Sequence, residues 1–244
     1  GGARREGTLR QLVAGQWQSI ASLQSAIPTE LCESAGKLFV GGSDAFSGHA
    51  RLLRYDATTQ AMVNVNLPGA GGGFGVRQEV TSMVSIATVA SGSVTPVVSQ
   101  VLVVAVGSFD ATGNGVGGML LATAGDRRFE TIASYAGEAP TAVIFQDAAL
   151  VVVTAMGKVY HRNAQGRMIE ETLPTGAGVT GFTSGISRDQ ASAVFGGKTA
   201  TGAVLVRRVA RGGGYVPPAN DLYYRPDAKA ILQNRCASCH GVGS

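Results

Sequence analysis

A mainly β architecture, assembled from repeated antiparallel units, is what this chain of 244 residues predicts. Three observations carry the prediction. The composition is 45% hydrophobic and only 15% charged, with 35 glycines, which suits short strands joined by tight turns better than helices rich in Lys and Glu. Apolar residues alternate, as at Leu38 with Val40 and at Val151 with Val153, the period of a strand that turns one face inward. Two strand phrases also recur along the chain, so the fold is to be read as a repeat.

The first phrase is a glycine, an apolar strand, a polar turn and a second strand. It is written as "GTLRQLVAGQWQSIASL" from Gly7, "GHARLLRYDATTQAMVNVNLP" from Gly48, "GGMLLATAGDRRFETIASY" from Gly117, "GKVYHRNAQGRMIEETLP" from Gly157 and "GAVLVRRVARGGGYVPP" from Gly202. Between these hairpins comes the second phrase, a small or turn-forming residue leading into one strand, a turn and a strongly apolar strand. It appears as "PTELCESAGKLFVGGS" from Pro28, "PTAVIFQDAALVVVTA" from Pro140 and "VTGFTSGISRDQASAVFGG" from Val179, with a stretched copy from Val80 that holds about 25 extra residues.

Four strands in about 40 to 45 residues form the unit of a β-propeller blade, which buries its faces only by stacking on its neighbours. The sequence thus divides into a half blade at about 7 to 26 and four full blades at about 27 to 217. In spacing and pattern the repeats resemble kelch-like and other bacterial propeller sequences. Propeller repeats over 1–217, about four and a half blades, are the expectation, and the orphan half blade adds the expectation of blades upstream. A β-sandwich of similar strands is the alternative.

After "YVPPAN" the character changes. Pro217 and Pro218 break the strand pattern, and "RPDAKAILQNRC" reads as a helix start, with Asp227 at its N-terminus and Ala228, Ile231 and Leu232 sharing one face. The helix runs into "RCASCHGVGS", residues 235–244. Cys-x-x-Cys-His is the attachment pattern of c-type haem: two thiols one helical turn apart can each form a thioether, and the next side chain falls beneath the iron. Half a zinc site would want two more Cys or His close by, and a redox disulfide would want a thioredoxin-like βαβ setting; neither is present in the sequence.

The stretch "DAKAILQNRCASCHGVG" resembles the first helix and haem-binding turn of class I c-type cytochromes. That resemblance implies one covalent haem c, with Cys236 and Cys239 as thioether cysteines and His240 as the proximal iron ligand. It also implies that 218–244 open a cytochrome domain truncated at Ser244, whose distal methionine would follow. Inside the chain the distal candidates are Met62, Met83, Met119, Met156, Met168, His49 and His161. Met119 and Met156 lie in or beside apolar strand segments, where core packing is expected, and the two histidines follow hairpin glycines, where solvent or turn roles are expected.

Other motifs carry less. Cys32 in "ELCES" reads as a buried free thiol. "GNGVGG" at 113–118 satisfies G-x-G-x-x-G but lies between strands, so it reads as a hairpin loop. "DATGNG" from Asp110 begins like a calcium loop, yet Leu121 stands at its twelfth position. "GAGGGFG" at 69–75 reads as a linker between blades. No catalytic residue is singled out.

The net charge of +4 comes from 20 basic and 16 acidic residues spread along the chain, with no basic stripe, which argues against nucleic acid. The longest apolar runs, "VLVVAV" and "AALVVVTAM", fall short of the roughly 20 residues of a membrane-spanning helix. "GGARREGTLR" at the start carries neither an initiator Met nor an apolar signal, so a missing or processed N-terminus is expected. Haem attachment to Cys-x-x-Cys-His occurs outside the bacterial cytoplasm, so a periplasmic or extracellular protein is expected. The leading reading is an electron-transfer protein, its haem carried on a propeller platform, with a redox protein or another cytochrome as partner, alone or in a larger multi-subunit complex. A second reading is a subunit of the quinohaemoprotein dehydrogenase type, which shares the order of propeller then cytochrome but has Trp-rich repeats, where this chain has only Trp17. A third is a propeller scaffold within a redox or cell-surface complex.

Overall fold

The computed structural model describes residues 7–71, 75–89, 98–124, 128–173, 176–187 and 192–209. Every regular element among them is a strand. A hairpin of β1 (Thr8–Val13) and β2 (Gln16–Ser22) comes first. Three four-stranded antiparallel meanders follow: β3 (Ala26–Ser34), β4 (Lys37–Asp44), β5 (Ala50–Asp56) and β6 (Ala61–Val65); β7 (Arg77–Val89), β8 (Val98–Phe109), β9 (Gly115–Ala124) and β10 (Arg128–Ala136); then β11 (Pro140–Gln146), β12 (Ala149–Thr154), β13 (Val159–Arg162) and β14 (Met168–Glu171). A last sheet joins β15 (Val179–Ser187), β16 (Ser192–Thr199) and β17 (Gly202–Val209).

Strand order follows chain order in every sheet, the outcome of short antiparallel connections. Three of the turns are two-residue links in which both residues take positive φ, Ala14-Gly15 at 49° and 81°, Ala35-Gly36 at 51° and 69°, and Asp147-Ala148 at 54° and 55°, the first two with glycine second. That geometry matches the right-handed twist of the strands it joins, and in those two glycine supplies the second residue without steric cost.

Alternate residues of each central strand face opposite neighbours. In β8, Val104 and Val106 pack with Phe39, Leu52 and Val80 toward the first meander, whereas Val103 and Ala105 pack with Val143, Leu150 and Val152 of the third. In β12, Val151 and Val153 turn the other way and meet Phe182 and Phe195 of the last sheet. The hairpin uses Leu9, Ala21 and Leu23 to cover Val40 and Leu53. Burial on both faces explains why "VLVVAV" and "ALVVVT" read as continuous apolar runs and not as alternation. Each such side chain, removed from water, contributes roughly 1.5–3 kcal/mol.

The first strands of successive sheets, β3, β7, β11 and β15, lie against one another, so the stack turns about its inner edge in a propeller-like manner. Each inner strand carries a bulge at a threonine: the register shifts at Pro28/Glu30, Val80/Ser82, Pro140/Ala142 and Val179/Gly181. The skipped residues are Thr29, Thr81, Thr141 and Thr180. Their hydroxyls reach the carbonyls of Gly41 at 3.3 Å, Ala105 at 3.3 Å, Val153 at 3.2 Å and Lys198 at 3.2 Å on the second strand. Thr81 also donates across to the Pro140 carbonyl at 2.8 Å, and Thr29 to that of Val80, so these two link neighbouring sheets. The Pro-Thr or Val-Thr that opens every copy of the second sequence phrase is this device.

The extra residues of the stretched repeat lengthen β7 and β8 to 13 and 12 residues. "GAGGGFG" connects β6 to β7, with 72–74 outside the described residues. The fourth strand expected for the last repeat, up to 217, and the helix expected after it also lie outside them.

Candidate functional site

Cys236, Cys239 and His240 lie outside the described residues. As a donor set, two thiols and an imidazole within five residues remain suited to haem attachment. The other candidates can be placed. Met62 and Met83 are 5% and 9% exposed, locked between sheets. Met119 packs against the core between the first two meanders, as expected. Met156 departs from the expectation: it sits in the turn between β12 and β13 and is 55% exposed, because the chain leaves the sheet at Thr154. Met168 packs at the border of the core between the second and third meanders.

His49 belongs to the turn before β5, its carbonyl accepting from the Asp44 N–H at 2.8 Å and its own N–H donating to Ser47 Oγ at 3.3 Å. His161 is turned onto its sheet, with Nδ1 3.1 Å from Glu171 Oε1. Cys32 is a half-buried free thiol 3.5 Å from the Glu33 carbonyl. Burial, reinforced by the Glu30 carboxylate, raises its pKa, which keeps it as the unreactive thiol. Asp110 Oδ1 accepts from the Thr112 N–H at 2.9 Å, the Thr112 hydroxyl at 2.7 Å and the Asn114 N–H at 2.9 Å. The carboxylate is thus engaged within its own turn, and 110–114 is the hairpin loop between β8 and β9. Among the described residues no group of three or more His, Cys, Asp or Glu is placed to hold a metal ion.

Three polar clusters, not singled out from sequence, hold the sheets together. Glu138, 9% exposed just before β11, accepts from Thr154 Oγ1 at 2.9 Å and from the Tyr160 hydroxyl at 2.5 Å, with Lys158 Nζ at 3.8 Å. Tyr135 packs edge-on to Tyr160, ring centroids 5.5 Å apart. Burial first, then the neighbouring phenol and carboxylate for Tyr135 and the Glu138 hydrogen bond for Tyr160, push both phenols above their usual range. Both are held protonated well past neutral pH.

The second cluster braces the third meander against the last sheet. Arg208 on β17 donates to Glu171 on β14 through Nη2 to Oε1 at 2.7 Å and Nε to Oε2 at 3.0 Å, a two-pronged ion pair with both side chains 12% exposed. Its Nη1 donates to Gln146 Oε1 at 2.7 Å, and Gln146, fully buried, returns a bond to the Arg208 carbonyl at 3.3 Å. The third cluster joins the first hairpin's exit to the first meander. Asp44 Oδ2 lies 3.0 Å from Arg51 Nη1 and accepts from the Ser25 hydroxyl, while Oδ1 accepts from the N–H groups of Phe46 and Ser47 at 3.0 and 2.9 Å. The Ser25 hydroxyl first, then these N–H groups, hold the Asp44 carboxyl well below the usual carboxylate range. A Gln ending an apolar strand and charged residues inside strand-like text are the only signals the sequence offers for these braces.

No family model matches the chain, and no curated protein matches it. Among solved structures it is similar to the Dos1 propeller, at 13% identity and a TM-score of 0.38 over 83% of this chain, and spans 62% of the length of that chain. It is also similar to the computationally designed Ika8 protein, at 13% identity and a TM-score of 0.27, over 77% of this chain and 74% of that one.

Proposed function

We propose that the chain carries one covalently attached c-type haem on its propeller-like platform and serves one-electron transfer between exported proteins. The observation that supports the reading is "CASCH" at 236–240, placed after a helix-forming segment in a chain with only three cysteines. Cys236 and Cys239 would supply the thioether sulfurs and His240 the proximal imidazole. When bound, such a haem supplies a one-electron iron couple whose potential depends on its axial ligands and burial.

In this reading the repeats over 1–217 are four and a half blades of a kelch-like propeller, and 218–244 open a cytochrome domain. The stacked sheets act as a rigid mount, and the covalent link retains the group where little protein surrounds it. Cys32, half-buried and unpaired, leaves the platform dependent on packing and polar braces and not on disulfides among the described residues. The protein works outside the cytoplasm, in the periplasm or at the cell surface, and exchanges electrons with another cytochrome or redox protein.

The test is a pyridine haemochrome spectrum of the full chain made with a working c-type maturation system. A c-type spectrum that survives acidic organic extraction is expected; haem-free protein from that system would overturn the proposal. Reduction of the haem by alcohols or sugars with added quinone would instead assign the chain to a dehydrogenase.

A further inference from the structure

The lengthened strands of the second meander leave a space that the repeat does not require. β7 and β8 run 13 and 12 residues, whereas β11 and β12 of the next sheet run 7 and 6, so the second meander overhangs the third at this end. The overhang carries Ile86, Val101 and Val103, opposed by Phe145 and Leu150 beside the β11–β12 turn. Between them opens a cleft of about 390 Å³, within the range of about 300–1,000 Å³ that small-molecule sites occupy. Aliphatic and aromatic side chains form most of its wall, and its polar lining residues are Thr88, Arg162 and Asn163.

Among the described residues, Arg162 is the only charged one lining the cleft, with no carboxylate beside it in the lining. Its Nε donates to the Gly166 carbonyl at 3.1 Å, which fixes the plane of the guanidinium. Its two terminal amino groups have no hydrogen-bond partner among the described residues. Asn163 commits its carbonyl oxygen to the N–H groups of Gln165 and Arg167, at 3.1 and 2.9 Å, and so turns only donors elsewhere. Apolar walls with a fixed cation and an amide donor at the border fit a ligand that is alkyl at one end and anionic at the other.

We infer that this cleft binds an alkyl carboxylate, with the chain between the second and third meanders and the carboxylate on Arg162. The site goes beyond the electron-transfer reading and does not depend on haem. The probe is octanoate, titrated calorimetrically into the full chain beside octanol and octylamine. Saturable binding of one octanoate per chain is expected, with octanol weaker by about tenfold and octylamine weaker still. Arg162→Gln should bring octanoate down to the level of octanol, and Arg162→Lys should restore part of the difference. Ala122→Leu, which extends a side chain into the cleft, should abolish binding of both ligands with an unchanged melting temperature. Absence of saturable octanoate binding, equal binding of carboxylate and amine, or binding indifferent to Ala122→Leu would each overturn the inference.

Discussion

Replacing Thr81 by valine removes one hydroxyl and almost nothing else, since the side chains are nearly the same shape. The lost group donates to the Pro140 carbonyl at 2.8 Å, on the inner strand of the next sheet, and lies 3.3 Å from the Ala105 carbonyl on its own. A net hydrogen bond contributes about 0.5–1.5 kcal/mol, and leaving a partly buried carbonyl unpaired adds to the loss, so a cost of about 1.5 kcal/mol is expected. With an m-value of about 3 kcal/mol/M, the urea midpoint should fall by about 0.5 M at constant m. Thr29→Val, which also breaks a link to the neighbouring sheet, should behave alike. Thr141→Val and Thr180→Val, whose hydroxyls bond within their own sheets, should cost about half as much. Thr81→Ser should recover most of the loss. Equal costs at all four threonines, or no change at Thr81, would refute the view that these hydroxyls join successive sheets.

Phe195→Ala should cost about 3–5 kcal/mol in the same assay, because the ring is fully buried and packs edge-on to Phe182 at 5.9 Å. Arg208→Met should cost about 3 kcal/mol by removing the two-pronged ion pair to the Glu171 carboxylate and the bond to Gln146, while Arg208→Lys, which keeps the charge but not the fork, should recover part of it, as read from urea midpoints. Asp44 has its folded pKa lowered, so its contribution is present above the unfolded value of about 3.9 and is lost as pH falls below it. The stability gap between the parent and Asp44→Asn should therefore stay level above about pH 5 and close in more acid buffer.

The repeats were legible because stacking leaves a residue-level trace. The Pro-Thr and Val-Thr openings mark the bulged threonines, and the pairs Leu38 with Val40 and Val151 with Val153 mark strand faces. The runs through Val103 to Val106 and Leu150 to Val153 were less so, since a strand buried on both faces loses its alternation. Met156 misled for a local reason: apolar text continues past Thr154 into a turn that leaves the sheet. The braces through Glu138, Glu171 and Arg208 were hidden because their partners are distant in sequence, 16 and 22 residues for Glu138 and 37 and 62 for Arg208, and no short motif joins them. The proposed haem motif is the opposite case, since Cys236, Cys239 and His240 stand within five neighbouring residues and the pattern is read without a fold.

A covalent haem at those residues would be detected by intact-mass spectrometry of the full chain made with a c-type maturation system. The expected result is a mass increase of one haem, mapped by peptide analysis to the segment containing Cys236 and Cys239 and absent after Cys236→Ala with Cys239→Ala. An unmodified chain from that system, or a haem that persists in the double variant, would contradict it.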